Sequence, residues 1–247
     1  MDNIKRLAEI LAGGNIVFFG GAGVSTESGI PDFRSDTGIY AAKEVYGRRP
    51  EDLVSRTCLV GEPGLFFRYY RERFAARRDA EPNNAHKALA ELERRGLLDA
   101  VITQITDGRH QKAGSKKVLE LHGSNERQYC SDCKLPYSLE FVMGFDGEIP
   151  RCGKCGGVVR PDVVLYEEGL DDTVVSEAVS FIRGAKTLII GGTSLAVQPA
   201  AGLLRYFKGS NLVLINKSRT PYDGEANLVI NEPIGEVLAA AMSKLGE

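Results

Sequence analysis

The residues of this 247-residue chain that could do chemistry fall into three groups: paired cysteines, a polar run closing an apolar strand, and two glycine-rich turns. Cys130-x2-Cys133 and Cys152-x2-Cys155 form a C-x2-C-x18-C-x2-C pattern. Each pair on a tight turn presents two thiolates to one ion, and four sulfurs close a tetrahedral zinc site with no open coordination position. Such a zinc is structural. The rival reading is a zinc ribbon that binds nucleic acid. Charges of both signs are interspersed between Asn125 and Gly157, so no phosphate-tracking stripe is present. Cys58 stands apart and reads as a buried core thiol.

The polar run is AVITQITDGRHQKAG, residues 100–114. It begins as a buried strand and continues into Thr103, Gln104, Thr106, Asp107, Arg109 and His110, with Ile105 the apolar exception. Asp107 could cap a following helix, serve a site as an acidic group, or do both. The first glycine turn lies in NIVFFGGAGVSTESGIPDFR (15–34), a buried strand, a turn and a helix start. Gly21, Ala22 and Gly23 would let the backbone approach a pyrophosphate, with helix amides pointed at it. The usual G-x-G-x-x-G is not met, because Thr26 stands where the third glycine would be. GGTSLAVQPAAG (191–202) repeats the strand–turn–helix pattern, and NLVLIN (211–216) ends in Asn216, whose amide could bridge ribose hydroxyls. Three such strand ends in one sheet are where a dinucleotide lies; ordinary tight loops are the alternative. Phe33 and Arg34 would set an aromatic lid and a guanidinium beside the phosphate turn.

These groups need a scaffold, and the chain supplies a recurrent one. Short apolar runs at 15–20, 99–104, 116–122, 158–165, 186–192, 211–216 and 227–231 lack strict alternation, as strands buried on both faces do. Helical patterns separate them, such as NNAHKALAELERRG (83–96) with its Asn start and Gly stop. The expected fold is α/β, a Rossmann-like doubly wound parallel sheet. It would comprise 1–35, 81–123 and 158–247. Two insertions, a helical one at 36–80 and the zinc module at 124–157, would form a smaller second domain. Lys+Arg 31 against Asp+Glu 33 leaves a net charge of -2, which argues against nucleic-acid and membrane-surface partners. No apolar run approaches the ~20 residues of a membrane helix. The amphipathic N-terminus lacks a signal peptide's cleavage pattern, so the expected compartment is cytoplasmic.

Seven segments in order, GAGVSTESGIPDFR, TQ-x-x-D-x-x-H-x-x-AG, ELHG, the paired CxxC, RPDVVLYEE, GTSLAVQPA and VLIN, resemble the sirtuin family over nearly the whole chain. The short, tail-less bacterial members are the most similar in style. The resemblance implies an NAD-dependent protein-lysine deacylase of the transferase class, with NAD as co-substrate and one structural Zn2+. His122 matches the family's catalytic histidine, the base that activates a ribose hydroxyl. Asp107 matches the acid that holds the nicotinamide carboxamide. Ala22, Thr26, Phe33, Arg34, Gln104, Thr193, Ser194 and Asn216 match NAD contacts, with Ile234 a further contact and Thr106 beside the nicotinamide. Val164, Leu165, Tyr166 and Glu167 match the strand that pairs with the substrate's backbone. In the implied reaction the acyl-lysine oxygen attacks the nicotinamide ribose carbon and nicotinamide leaves. A ribose hydroxyl then captures the acyl carbon, and water releases free lysine and O-acyl-ADP-ribose. The partners are acyl-lysine proteins or peptides; the oligomeric state is open, with a monomer favoured.

Several positions depart from the family pattern. Where the family reads TQNID-x-LH, this chain reads Thr103-Gln104-Ile105-Thr106-Asp107-Gly108-Arg109-His110. Ile105 replaces an asparagine, Thr106 an isoleucine and Arg109 a leucine, while Asn125 and Glu126 stand where apolar or aromatic residues are usual. An isoleucine can neither donate nor accept a hydrogen bond, so NAD binding is expected to survive better than turnover. Thr106 offers a hydroxyl, and Arg109 could pair with Glu126 to compensate. The alternative function is a catalytically weak NAD-binding or sensing protein, or an ADP-ribosyltransferase. Tyr70 and Arg73 share a helix face and resemble the Tyr-x-x-Arg pair with which sirtuin desuccinylases hold an acidic acyl group. A solvated, arginine-rich face is the other reading. His86 and His110 are expected to be structural.

Overall fold

The protein is described by a computed structural model at residues 2–30, 45–75, 79–195 and 198–245. Its strands along the chain are β1 (Ile16–Gly20), β2 (Leu98–Thr103), β3 (Val118–Glu120), β4 (Gly123–Cys130), β5 (Pro136–Ser138), β6 (Val159–Val163), β7 (Thr187–Gly191), β8 (Asn211–Ile215) and β9 (Leu228–Ile230). The helices are α1 (Asn3–Ala12), α2 (Pro50–Leu53), α3 (Arg56–Gly61), α4 (Pro63–Ala75), α5 (Asn84–Arg94), α6 (Arg109–Ala113), α7 (Leu139–Met143), α8 (Asp172–Gly184) and α9 (Ile234–Ser243). The large sheet is wholly parallel, ordered β3-β2-β1-β7-β8-β9. Counted by occurrence within that sheet the order is 3-2-1-4-5-6, the dinucleotide-binding arrangement. The expected α/β fold is therefore present, and its strand order reverses between β1 and β7.

Successive side chains of a strand point to opposite faces, and β1 uses both. Ile16 and Phe18 enter a core with Leu7 and Leu11 of α1, Leu89 and Leu92 of α5, and Val237 and Leu238 of α9. Val17 and Phe19 enter a second core with Ala178 and Ile182 of α8 and with Leu203 and Leu204 of the 3₁₀ turn Ala200–Tyr206. Both faces are thus covered, which is why the strands read as continuous apolar runs. The predicted helix at 83–96 begins where expected, the Asn83 side chain accepting from the Ala85 amide at 2.9 Å.

The second lobe has its own three-stranded antiparallel sheet, β5-β4-β6, and its own core. Phe66, Phe67 and Tyr70 of α4 pack there with Leu59 of α3, Val142 of α7, Val159 and two zinc-module cysteines, Cys130 and Cys152. The helical segment and the cysteine module share one interior. Cys58 is buried in it, and that burial pushes its thiol pKa up.

The structure corrects two expectations. The run 158–165 does not join the parallel sheet; β6 pairs antiparallel with β4 at the edge of the small one. Pro161 has no N–H for a central ladder, and an edge strand tolerates it. Nor does an α-helix follow the first glycine turn among the described residues up to Ile30. The chain makes two 3₁₀ turns, Ala22–Val24 and Thr26–Ser28. The carbonyls an α-helix would use are taken by side chains: Thr26 Oγ1 donates to Gly23 O at 2.9 Å and Asn83 Nδ2 to Val24 O at 2.7 Å.

The glycines of the two turns serve each other as well as any ligand. The Gly23 amide donates to Gly192 O at 2.7 Å. A Cβ on Gly23 would lie 2.8 Å from Gly192 Cα, and one on Gly192, at φ 58°, would lie 2.3 Å from Val24 N. Gly192→Ala combines left-handed strain with that clash. It is expected to lower unfolding stability by about 2–4 kcal/mol, measured by denaturant titration; a loss below about 0.5 kcal/mol would show that the turns separate freely.

Candidate active site

Two cavities open at the carboxyl ends of the parallel strands. The larger, about 410 Å³, is bounded by Ala22, Ser25, Gln104, Ile105, Thr106, Asp107, His122 and Asn125. Tyr70, Arg73 and the 163–168 segment line it as well. The smaller, about 280 Å³, is lined by Thr26, Glu27, Asn216, Glu232 and Ile234. Gly23, Gly192, Thr193 and Ser194 line both, so the facing turns divide one continuous groove. The groove lies at the switch point, where ligands bind in open α/β sheets.

Asp107 is buried and well held. Ser25 Oγ donates to its Oδ2 at 2.7 Å and the Arg109 amide donates to its Oδ1 at 3.0 Å. Its carboxylate, just before the N-cap Gly108, thereby holds the first amide of α6, and the residue also lines the larger cavity. Arg109, itself buried, donates from a guanidinium nitrogen to Asp107 O at 2.5 Å. Its charge also reaches Glu126, whose pKa burial nevertheless raises. Behind Asp107, His86 and His110 pack with ring centroids 4.8 Å apart, both fully buried. Burial lowers His86 to about 4 and His110 to about 3, so both are neutral packing groups.

His122 lies at the junction of the two lobes, between the end of β3 and the start of β4. Its Nδ1 is 2.9 Å from Gln104 O, and its carbonyl accepts from the Val164 amide at 3.0 Å. Since a carbonyl only accepts, Nδ1 carries the proton and Nε2 keeps its lone pair. Burial lowers the His122 pKa below its ordinary value, opposed in part by the bond to Gln104. Gly123, at φ 74°, makes the bend, and a Cβ there would lie 2.1 Å from Asp162 O. Gln104 lines the cavity and its Nε2 has no hydrogen-bond partner among the described residues. A buried donor in that condition fits a ligand oxygen.

Ile105, Thr106 and Asn125 line the same cavity. Ile105 is half-buried against the α1/α5/α9 core and also lines the cavity. Thr106 and Asn125 meet: Asn125 Nδ2 donates to Thr106 Oγ1 at 2.6 Å, and the Asn125 amide to Thr106 O at 2.8 Å.

A family model for the Sir2 family matches residues 21–199, which span the first turn, the floor, His122, the cysteines and the second turn. The chain belongs to the Sir2 family. An NAD-dependent protein deacetylase of Clostridium acetobutylicum is 55% identical over 239 residues, 96% of this chain and 97% of that one. One of Clostridium tetani is 49% identical over the full length of both. Among solved structures, a sirtuin from a study of substrate affinity superposes with a TM-score of 0.90 at 37% identity, covering 98% of this chain and 99% of that chain. Sir2 with a p53 peptide and NAD+ superposes at 0.88 and 35%, covering 98% of each.

The cysteines of this Sir2 chain fit a single zinc ion. Their four sulfurs lie within 4.8 Å of one another, with Cys130–Cys155 at 3.4 Å and Cys133–Cys152 at 3.7 Å. Tetrahedral Zn–S bonds of about 2.3 Å place sulfurs about 3.8 Å apart. All four positions would be filled by protein.

Tyr70 and Arg73 both line the larger cavity, so their shared helix face is turned inward rather than to solvent alone. Tyr70 is buried, its ring parallel to Phe66 at 6.1 Å, and burial raises its pKa. Arg73 stacks its guanidinium 5.9 Å from the Tyr69 ring centroid. In the 164–167 segment, Tyr166 pairs with the loop before α3, its amide donating to Val54 O at 3.2 Å and its carbonyl accepting from the Arg56 amide at 3.0 Å. The Leu165 amide donates to Glu168 Oε2, and Glu167 Oε2 accepts from the Thr57 amide and hydroxyl. Asn216 donates from Nδ2 to Ser218 O at 2.7 Å beside the smaller cavity. Phe33 and Arg34 lie outside the described residues. Sequence reasoning passed over Ser25, Gln128 and Glu27. Glu27 Oε1 accepts from the Gly235 amide at 2.8 Å, fastening the first turn to the start of α9. Ser25 and Glu27 stand inside the first glycine-turn segment, whereas Gln128 lies in none of the motifs.

Proposed function

We propose that this chain is an NAD-dependent protein-lysine deacylase in which His122 is the base and Ile105 lowers turnover. The observation that carries the reading is His122, held by its Nδ1 proton beside Gln104, in a groove that runs on to both glycine turns. The family, and relatives named NAD-dependent protein deacetylases, support it. Solved relatives with a p53 peptide and with a propionylated peptide support an acyl-lysine protein or peptide substrate.

The groove fits a dinucleotide in its length, in its facing turns and in the unpartnered Gln104 Nε2. NAD supplies, when bound, the ribose carbon that takes up the acyl oxygen as nicotinamide leaves, and the ribose hydroxyl that then attacks the acyl carbon. His122 accepts a proton at Nε2. Its lowered pKa keeps it neutral, and so able to accept, at pH 7. Asp107, fixed by Ser25 and the Arg109 amide, offers acceptor oxygens to a carboxamide. Apolar groups such as Ile30, Val54, Phe66, Leu165 and Leu170 narrow the water around the reacting centre. A zinc at the cysteines would stabilise the small lobe and stay out of the chemistry.

With a base whose pKa lies below the ordinary histidine value of 6.5, kcat/KM is expected to rise with pH through an apparent pKa under 6.5. His122→Ala is expected to lose ~10²–10⁴-fold in turnover. A pH-rate limb above 7 would remove His122 from the role.

Ile105 favours a second reading, an NAD-binding protein with slow chemistry. One positioned polar group is typically worth ~10²–10³ in rate. Ile105→Asn is therefore expected to raise nicotinamide release with an acetyl-lysine peptide by about tenfold or more, with NAD affinity little changed. Equal turnover in both proteins would show that the floor has compensated.

Tyr70 and Arg73 are proposed to hold an acidic acyl group. A hydrogen bond to a charged group is worth ~1.5–3 kcal/mol, so Arg73→Met is expected to lower kcat/KM on succinyl-lysine about tenfold more than on acetyl-lysine. Equal losses on the two peptides would assign Arg73 to packing.

A further inference from the structure

Tyr137 lies between the two cysteine pairs, on β5, where it pairs with Gln128 of β4 at the edge of the small sheet. Its ring packs on Phe141 of α7, the centroids 4.4 Å apart. Its hydroxyl reaches the second cysteine pair, 3.1 Å from Cys152 Sγ, and the Gly153 amide donates to it at 3.0 Å. A backbone amide only donates, so the hydroxyl accepts from Gly153 and its own proton is directed at the sulfur. The Lys154 amide adds a longer contact to the same sulfur, at 3.4 Å.

Four thiolates about one divalent ion leave an excess of negative charge on the sulfurs. Cys152 is buried, so donors from the protein must stand in for water in spreading that charge. A hydrogen bond to an ionised acceptor is roughly twice as strong as one between neutral groups. A phenylalanine would pack on Phe141 equally well. Only the hydroxyl joins β5, which follows the first pair, to the turn that carries the second. That bond falls where the pairs meet, since Cys133 and Cys152 have their sulfurs 3.7 Å apart. We propose that Tyr137 is a positioning residue for the zinc, its hydroxyl holding the Cys152 thiolate in the geometry that the ion takes. This rests on the reading of the four cysteines as a zinc site.

The test uses the full chain as wild type, Tyr137→Phe, Tyr137→Leu and a protein with 4-aminophenylalanine in place of Tyr137. Zinc affinity is read by competition with a chromophoric chelator. The site is then loaded with cobalt(II), whose sulfur-to-metal charge-transfer band reports electron density on the thiolates. Removing a partner of a metal ligand typically costs ~10–100-fold in affinity, so Tyr137→Phe is expected to bind zinc about tenfold or more weakly. Its cobalt band is expected at longer wavelength, because a sulfur that has lost its donor gives up charge more readily. The amine of 4-aminophenylalanine can donate in place of the hydroxyl and is expected to restore both. If Tyr137→Phe matches wild type while Tyr137→Leu binds weakly, the ring alone matters and the proposal is overturned. Weak binding by Tyr137→Phe with an unmoved band also overturns it, since the loss then comes through packing. If Tyr137→Phe holds no metal at all, the aminophenylalanine protein decides: recovered binding supports the proposal, and failure overturns it. If wild type itself takes up no zinc, the metal reading falls and takes the proposal with it.

Discussion

The site depends on one close approach. Where β1 and β7 lie side by side, the turns that leave them face each other across a gap too narrow for any Cβ, bridged by the Gly23 amide and the Gly192 carbonyl. Both cavities take their shared wall from that contact. Parallel strands end in step, so their turns crowd at the switch point, and small residues let two backbones share it. The glycine richness that reads as a phosphate signature is, first, a packing requirement between loops.

The second lobe contributes at a distance. Two of the four cysteines of the CxxC pairs are buried among the aromatic residues of α4, so the metal site and the wall that carries Tyr70 share an interior. β4 runs from the bend after His122 to Cys130, linking that histidine to the first cysteine along one strand.

Much of the scaffold was legible because period and composition report burial directly. The strands of the parallel sheet read as unbroken Val/Ile/Leu runs, and CxxC spacing has few other uses. The misread strand, β6, also looks apolar, but Pro161 and its antiparallel partner are facts of pairing, which a single segment does not carry. The 3₁₀ turns after β1 were illegible for a related reason: the side chain that takes the Val24 carbonyl belongs to Asn83, far along the chain. At the site, residue types such as His122, Asp107 and Gln104 were readable from the motif. Who bonds to whom was not. Thr106 and Asn125 each looked like an isolated oddity, and only their 2.6 Å contact makes them a pair.

The bond between Glu27 and Gly235 joins residues 208 positions apart. During synthesis β1 and the first turn leave the ribosome early, yet the carboxylate that steadies that turn finds its amide only when α9 has emerged. The groove beside that turn is therefore held by a contact of long sequence separation, which closes only after the intervening strands and helices have been made.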